Sequence, residues 1–252
     1  MAFDVAGSAY QRFMGRFSEK LSVPFADFAG VDSGSGMRVL DVGCGPGALT
    51  TVLVDRLGAA AVTGADPSEP FVAAVRERLP EVDIRLAPAE SMPFADDEFD
   101  AALAQLVVHF MKDPVAGLRE MARVTKPGGV VAACVWDHAG ERTPLAVFWT
   151  AARQLDPGAR DESGLAGAHE GHLGELMRAA GLTEIEETLL EVPFGSESFD
   201  DWWEPFTLGV GPAGEYLAAL EPDRVVMLRD RARELLPAAP RACAWTARAR
   251  AT

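Results

Sequence analysis

The sequence predicts an α/β protein built on a doubly wound parallel β-sheet, and two observations carry that expectation. From Met37 onward, short apolar runs alternate with amphipathic helical patterns, an order that pairs strands in parallel and covers both faces of the sheet with helices. The first apolar run ends in "VLDVGCGPGALT", Val39 to Thr50, where glycines at alternate positions lead into a helical pattern. In such a sheet, ligands sit beyond the carboxyl ends of the strands.

Strands are expected at 37–42, 61–65, 82–87, 99–104 and 129–136. Ahead of them, Tyr10, Phe13, Met14, Phe17 and Leu21 recur at helical spacing and predict an amphipathic helix over 8–28, followed by the flexible link "GVDSGSG" at 30–36. Leu49, Leu53 and Leu57 share one face of a helix that Gly58 closes. Phe71, Val72, Val75 and Leu79 mark the next helix, and Val115, Leu118, Met121 and Ala122 a further one, ended by "KPGG" at 126–129. After Trp136 the order changes. A segment rich in glycine and acids, 156–171, precedes a helix "HLGELMRAAG" at 172–181, and "EIEETLLEVPF" reads as a strand. Residues 196–238 carry Trp202, Trp203, Phe206 and a helix around Val225 to Leu236, before a last strand near Ala242 to Arg250.

The 252 residues, 48% of them hydrophobic, suffice for one such domain with embellishments. With 23 basic against 38 acidic residues the formal charge is −15, which repels phosphate backbones and anionic lipid headgroups. Nucleic acid and membrane partners are therefore not expected. The first thirty residues lack a signal-peptide pattern, and the longest nearly apolar run, Ala101 to Met111, is far short of the roughly 20 residues that span a bilayer. A cytoplasmic protein is expected. Cys44, Cys134 and Cys243 form no CxxC pair and read as free, buried thiols.

Gly43, Gly45 and Ala48 satisfy the dinucleotide-binding spacing by themselves, but that pattern alone is weak. Asp41 discriminates between ligands. A carboxylate beside a pyrophosphate costs about 1 to 4 kcal/mol of repulsion at close range, whereas a cationic, phosphate-free ligand such as S-adenosylmethionine reverses the sign. Asp66, 21 positions after Gly45, ends the second strand and can accept hydrogen bonds from both hydroxyls of a ribose. That spacing supports an adenosine ligand without choosing one.

Four stretches, "VLDVGCGPGALT", "GADPSE", "APAESMPFADDEFD" and "EMARVTKPGGVV", stand in the order and spacing of the class I S-adenosylmethionine-dependent methyltransferases, which the chain resembles over about residues 37–136. The resemblance implies a Rossmann-like, seven-stranded sheet, parallel except for its last strand, with helical lid elements. It implies a single domain over 1–252: an N-terminal helical lid at 1–30, a cofactor-binding core at 37–136, the rest of the sheet and helices at 137–194 and 239–252, and an inserted helical lid at 195–238. "YQRFMGRFS" at 10–18 is similar to the opening segment of members that act on small molecules.

Carried over by position, Asp41 resembles the acid that steadies the glycine turn and reaches the methionine amino group through water, and Gly43, Cys44 and Gly45 supply close backbone. Asp66 resembles the ribose acid, with Pro67 and Ser68 beside the adenine. Ala89 and Glu90 resemble the pair whose backbone meets the adenine edge. Pro88 departs from the acid that many relatives carry there, and offers neither a carboxylate nor an N–H. Gln105 resembles the residue whose carbonyl receives the methionine ammonium, and Arg16 is a candidate partner for the methionine carboxylate.

Methyl transfer from a sulfonium needs alignment and exclusion of water more than it needs acid–base help, and a base enters only if the acceptor is protonated. His109, just after the fourth strand, is the candidate base; its alternative is a structural histidine packed between Val108 and Phe110. Asp137 and His138 form a second candidate pair beyond the fifth strand. His169 and His172 lack a third metal ligand of suitable spacing, so no metal is expected. The function expected is methyl transfer from S-adenosylmethionine to an O, N or C atom of a small, apolar or aromatic molecule. The alternatives are a protein that binds S-adenosylmethionine without transferring methyl, and an NAD-dependent oxidoreductase.

Overall fold

The computed structural model describes residues 14–159, 162–194 and 198–252. Seven strands form one sheet: β1 (Val39–Val42), β2 (Val62–Asp66), β3 (Asp83–Leu86), β4 (Phe99–Gln105), β5 (Thr125–Trp136), β6 (Thr183–Pro193) and β7 (Arg241–Arg250). Their order is β3-β2-β1-β4-β5-β7-β6. The pairs from β3 through β5 are parallel, and β7 runs antiparallel to both β5 and β6, as the resemblance implied. The chain order reverses between β1 and β4, so the carboxyl ends of these two strands open the crevice where a doubly wound sheet holds its ligand.

Alternation along the strands explains the two layers. In β5, Val130, Ala132, Cys134 and Trp136 face one core, while Val131, Ala133 and Val135 face the other. The first core is covered by α1 (Arg16–Phe28), α2 (Ala48–Leu57) and α3 (Glu69–Arg78), together with later helices; the second is covered by α4 (Pro114–Val124) and α6 (His172–Ala179). Helix starts follow local chemistry. Asp113 caps α4 by accepting from the Ala116 N–H at 2.9 Å, with Pro114 in the first turn.

Three readings of the sequence are refined. The N-terminal helix is described from Arg16 onward and buries Phe17, Leu21 and Phe25; Tyr10 and Phe13 lie outside the described residues. "KPGG" does not separate helix from strand but runs inside the first half of β5, which begins at Thr125 opposite Phe99 and carries a register shift there. The closing "ARARAT" has a structural part: Arg248 and Arg250 of β7 face Glu186 and Glu184 of the edge strand β6, and Arg248 also donates to the Phe28 carbonyl at the end of α1.

Beyond β5, α5 (Ala146–Leu155), α7 (Phe199–Trp203), α8 (Gly211–Ala218) and α9 (Pro222–Leu235) complete the first layer. They are knitted by aromatic rings. Phe148 is fully buried, stacks on Phe206 with centroids 4.7 Å apart, and meets Trp149 edge-on at 5.2 Å. Trp202 and Trp203 are buried in the same cluster. Arg16 then ties α1 to α7 through the Asp201 carboxylate and carbonyl, at 3.3 and 3.0 Å. No helix among the described residues is long and apolar enough to cross a membrane. Truncating the central ring, Phe148→Ala, leaves a cavity that loose helices cannot fill. It should lower the unfolding free energy by about 3–5 kcal/mol in urea titration, and a loss well under 1 kcal/mol would show that the layer does not depend on this stack.

Candidate active site

The glycine turn after β1 is built from backbone hydrogen bonds to β2. The Gly43 and Cys44 N–H groups both donate to the Ala65 carbonyl, at 2.7 and 3.0 Å. Gly43 has φ +67°, and a Cβ there would stand 2.5 Å from Val107 Cγ2, so only glycine fits. Gly45, at φ +52°, has open space where its side chain would be, which leaves room for a ligand against the backbone.

Two carboxylates sit under this turn. Asp66 accepts from Gly45 N–H on one oxygen and from Ser68 N–H on the other, each at 2.8 Å. Burial raises its pKa, and those two N–H groups hold the rise back. Asp41 is 1% exposed and accepts at 2.6 Å from the Thr50 hydroxyl in the first turn of α2. Burial pushes its pKa up to about 7, against the Thr50 hydrogen bond and with a further push from Asp66. Burial likewise raises the Cys44 thiol well above its ordinary value, so this cysteine is an inert wall of the turn. Cys134 and Cys243 are also free and buried.

A cleft lies against the turn, lined by Gly43, Cys44, Gly45 and Asp41 from one side and by Gln105, Gly15 and Ser18 from the other. Gln105 is held by its amide, which donates to the Ser18 carbonyl at 3.1 Å and the Ser22 hydroxyl at 3.0 Å. Its Oε1 is buried and has no hydrogen-bond partner. Among the described residues, a carboxylate, an unengaged amide oxygen and no lining Lys or Arg make this cleft an acceptor set, which fits an ammonium and a sulfonium and disfavours a diphosphate. The group the resemblance implies therefore fits the residues present.

Other expected contacts are partly committed elsewhere. Arg16 engages Asp201 rather than the cleft, so among the described residues lining the cleft no cationic side chain is offered to a methionine carboxylate. The Glu90 carboxylate accepts from the Lys112 and Asp113 N–H groups at 2.7 and 3.3 Å. Ala89 is buried, and Pro67, Ser68 and Asp66 lie at the β2 end beside the turn.

A second cleft, with about 470 Å³ of free space open to solvent, shares Leu106 with the first. Leu106 follows β4 with φ +60°, a left-handed conformation that costs a leucine about 1 kcal/mol or more, and strain of this kind collects at functional sites. The wall is apolar, from Met14, Leu145, Trp136 and Ala213, with His109, His138 and Glu162 set into it. His109 is half-buried, but its Nδ1 is out of solvent and without a partner. Burial, and secondarily the charge of His138, depress its pKa to about 3. At neutral pH His109 is thus an uncharged imidazole, suited to orienting a ligand by a hydrogen bond.

Asp137 does not pair with His138. Its carboxylate takes Gly140 N–H, Trp245 Nε1–H at 2.8 Å and the Arg142 guanidinium. The carboxylate facing His138 is Glu162, which sequence reading missed because it lies in the glycine- and acid-rich segment that has no periodicity. Of the aromatic residues named from the sequence, Trp136 lines the cleft, Trp149 reaches it by donating to Glu162 at 3.3 Å, and Trp202, Trp203 and Phe206 pack in the core. The His169 and His172 rings stack at 4.6 Å, and His172 Nδ1 accepts from Gly167 N–H. Among the described residues no group of three or more His, Cys, Asp or Glu is placed to hold a metal ion.

Residues 40–133 match the family described as a methyltransferase domain. An uncharacterized methyltransferase of Mycobacterium tuberculosis is 39% identical over 105 residues, 42% of either chain. A ubiquinone biosynthesis O-methyltransferase of Ruegeria pomeroyi is 32% identical over 158 residues, covering 60% of this chain and 62% of the relative. Among solved structures, the [4+2]-cyclase SpnF superposes with a TM-score of 0.57 at 26% identity, covering 92% of this chain and 80% of the other. The chain spans about two fifths of the length of the first curated relatives it matches. The sheet order, the acid-floored glycine turn and these matches together show a methyltransferase domain of the class I S-adenosylmethionine-dependent type over residues 40–133.

Asp41 has a consequence for pH. Its proton is held up to about 7 in the folded protein and only to about 4 in an unfolded chain. The native state therefore carries the extra proton between those values, and stability declines as pH rises through that window. Urea unfolding from about pH 5 to about pH 8 should show the decline in the wild type and a shallower one in Asp41→Asn; equal slopes would assign it to other groups.

Proposed function

We propose that this protein transfers a methyl group from S-adenosylmethionine to a small, uncharged, apolar or aromatic acceptor. The observation that carries the reading is the pair of adjoining clefts sharing Leu106: one floored by carboxylate and amide oxygens, the other apolar with polar side chains set into it. Asp41 and Gln105 Oε1 are the residues for the cofactor's cationic end, Gly43 and Gly45 give close backbone, and Asp66 is the ribose acid as well as the anchor of the turn. When bound, the cofactor supplies an activated methyl group on a sulfonium, and the chain's task is to align the acceptor with it and exclude water. Among the described residues no Lys or Arg lines the second cleft, so these residues offer no counter-charge to an acceptor bearing a phosphate. The helix α1 and the segment 198–238 act as the lid, since α1 contributes Ser18 and Met14 lies just before it, while Ala213 of α8 roofs the acceptor side.

A second reading has one specific observation behind it. A structure with 26% identity that covers 92% of this chain is that of a [4+2]-cyclase, so a scaffold of this kind can also serve a reaction other than methyl transfer. Calorimetric titration with S-adenosylmethionine, its homocysteine product and NAD separates the classes. Binding of the first two but not NAD is expected, and the reverse would overturn the reading. Release of the homocysteine product over a panel of hydroxylated aromatic acceptors then tests transfer itself; cofactor binding with no turnover across the panel favours the cyclase-like reading. Asp66→Ala removes the acceptor for two turn N–H groups and should weaken cofactor binding by about 1–3 kcal/mol; unchanged affinity would move the ribose elsewhere.

A further inference from the structure

The acceptor cleft holds a histidine backed by a buried carboxylate. His138 Nδ1 faces Glu162 Oε2 at 3.9 Å, with side chains 5% and 7% exposed. The neighbouring acid Asp137 is committed to Arg142, Trp245 and Gly140, and among the described residues Glu162 is the carboxylate within ion-pair distance of His138. Among the described residues, His109 is another titratable group facing it, with its ring centroid 5.9 Å away. Two rings so close and so buried do not both carry protons, and His109 is the one that burial keeps neutral.

Two further atoms on this wall, His109 Nδ1 and Trp136 Nε1, are buried without a hydrogen-bond partner. A pure hydrocarbon ligand leaves both unsatisfied. A ligand with oxygen functions satisfies them.

We infer that His138, oriented and charge-compensated by Glu162, is the base that takes the proton from a hydroxyl of an uncharged acceptor, so that the methyl goes to oxygen. The inference rests on the methyltransferase reading above and names its base and acceptor atom. The hydroxyl proton passes to Nε2, the ring nitrogen away from Glu162, as the acceptor oxygen forms its bond to the methyl carbon. The carbon–sulfur bond breaks with its electron pair on sulfur, so the sulfonium becomes a neutral thioether. The imidazolium that forms is met by the Glu162 carboxylate. His109 orients the hydroxylated ligand through Nδ1, and Glu162 is a positioning residue.

Two measurements test this. Imidazole titrations followed by NMR in wild type and Glu162→Gln read the pair without any turnover: the His138 midpoint should fall by about one pH unit or more in the variant, with His169 and His172 unmoved, and an unmoved His138 overturns the pairing. In single turnovers with saturating cofactor, His138→Gln should slow methylation of a weakly acidic hydroxyl by about 10²–10⁴-fold with cofactor affinity unchanged. It should cost far less with a phenol acidic enough to be ionised at the assay pH. Glu162→Asp should restore part of the rate lost in Glu162→Gln. Full activity of His138→Gln, or equal losses for acidic and weakly acidic acceptors, overturns His138 as the base. If the wild type binds cofactor but methylates nothing, the methyltransferase reading fails and the base assignment with it, while the titration still reports whether the pair exists.

Discussion

The glycine turn after β1 must hold two buried carboxylates a few residues apart in the fold without being forced open by them. It does so unequally. Asp66 spends its oxygens on the N–H groups of Gly45 and Ser68 and so becomes part of the turn's covalent-like scaffolding. Asp41 has one hydroxyl, from Thr50, and its ordinary ionisation is suppressed by burial and by its neighbour. A cation entering the cleft lowers the cost of Asp41's charge, while an anion raises it. Ligand selection by charge thus follows from the way the turn is folded, before any contact to an adenine or a ribose is considered.

The same constraint reaches the acceptor side through β4. In six residues after Ala104 the chain supplies Gln105, which fastens α1 to the sheet, Leu106, which adopts a left-handed backbone to divide the clefts, Val107, whose side chain closes over Gly43, and His109 on the far wall. A shift of this segment alters the cofactor cleft and the acceptor cleft together. That coupling is what an in-line transfer between two bound molecules requires, because misplacement by an ångström is enough to lose alignment.

Strands and turn were legible in the sequence because their signals are local. Apolar runs of fixed length, Gly43 and Gly45, and Asp41 and Asp66 each declare themselves within a few positions, and all seven strands fall where patterning put them to within a few residues. The start of β5 was less legible, since "KPGG" carries the chemistry of a turn and only the pairing of Thr125 with Phe99 draws it into the sheet. Side-chain partners separated by long stretches of chain were not legible at all. Arg16 looked free until Asp201 came beside it, Asp137 looked like the partner of His138 until Arg142 and Trp245 took it, and Glu162 gave no signal within its irregular segment. Competition from a partner as distant as Asp201 is from Arg16, or Trp245 from Asp137, has no one-dimensional trace.

The two clefts also divide the chain in a way that bears on its relatives. Most of the cofactor cleft comes from within the matched span 40–133, with only Gly15 and Ser18 from outside. The acceptor cleft draws Trp136, His138, Leu145, Glu162 and Ala213 from beyond that span. Relatives that align only over the shared span therefore share the charge logic of the turn and need not share an acceptor. Most of the second cleft's wall therefore comes from segments outside the matched span, with Leu106, His109 and Phe110 contributed from within it. An O-methyltransferase and a cyclase both stand among the proteins similar to this chain, and under the proposed function the choice of acceptor falls to the wall formed by His109, His138 and Glu162 rather than to the glycine turn.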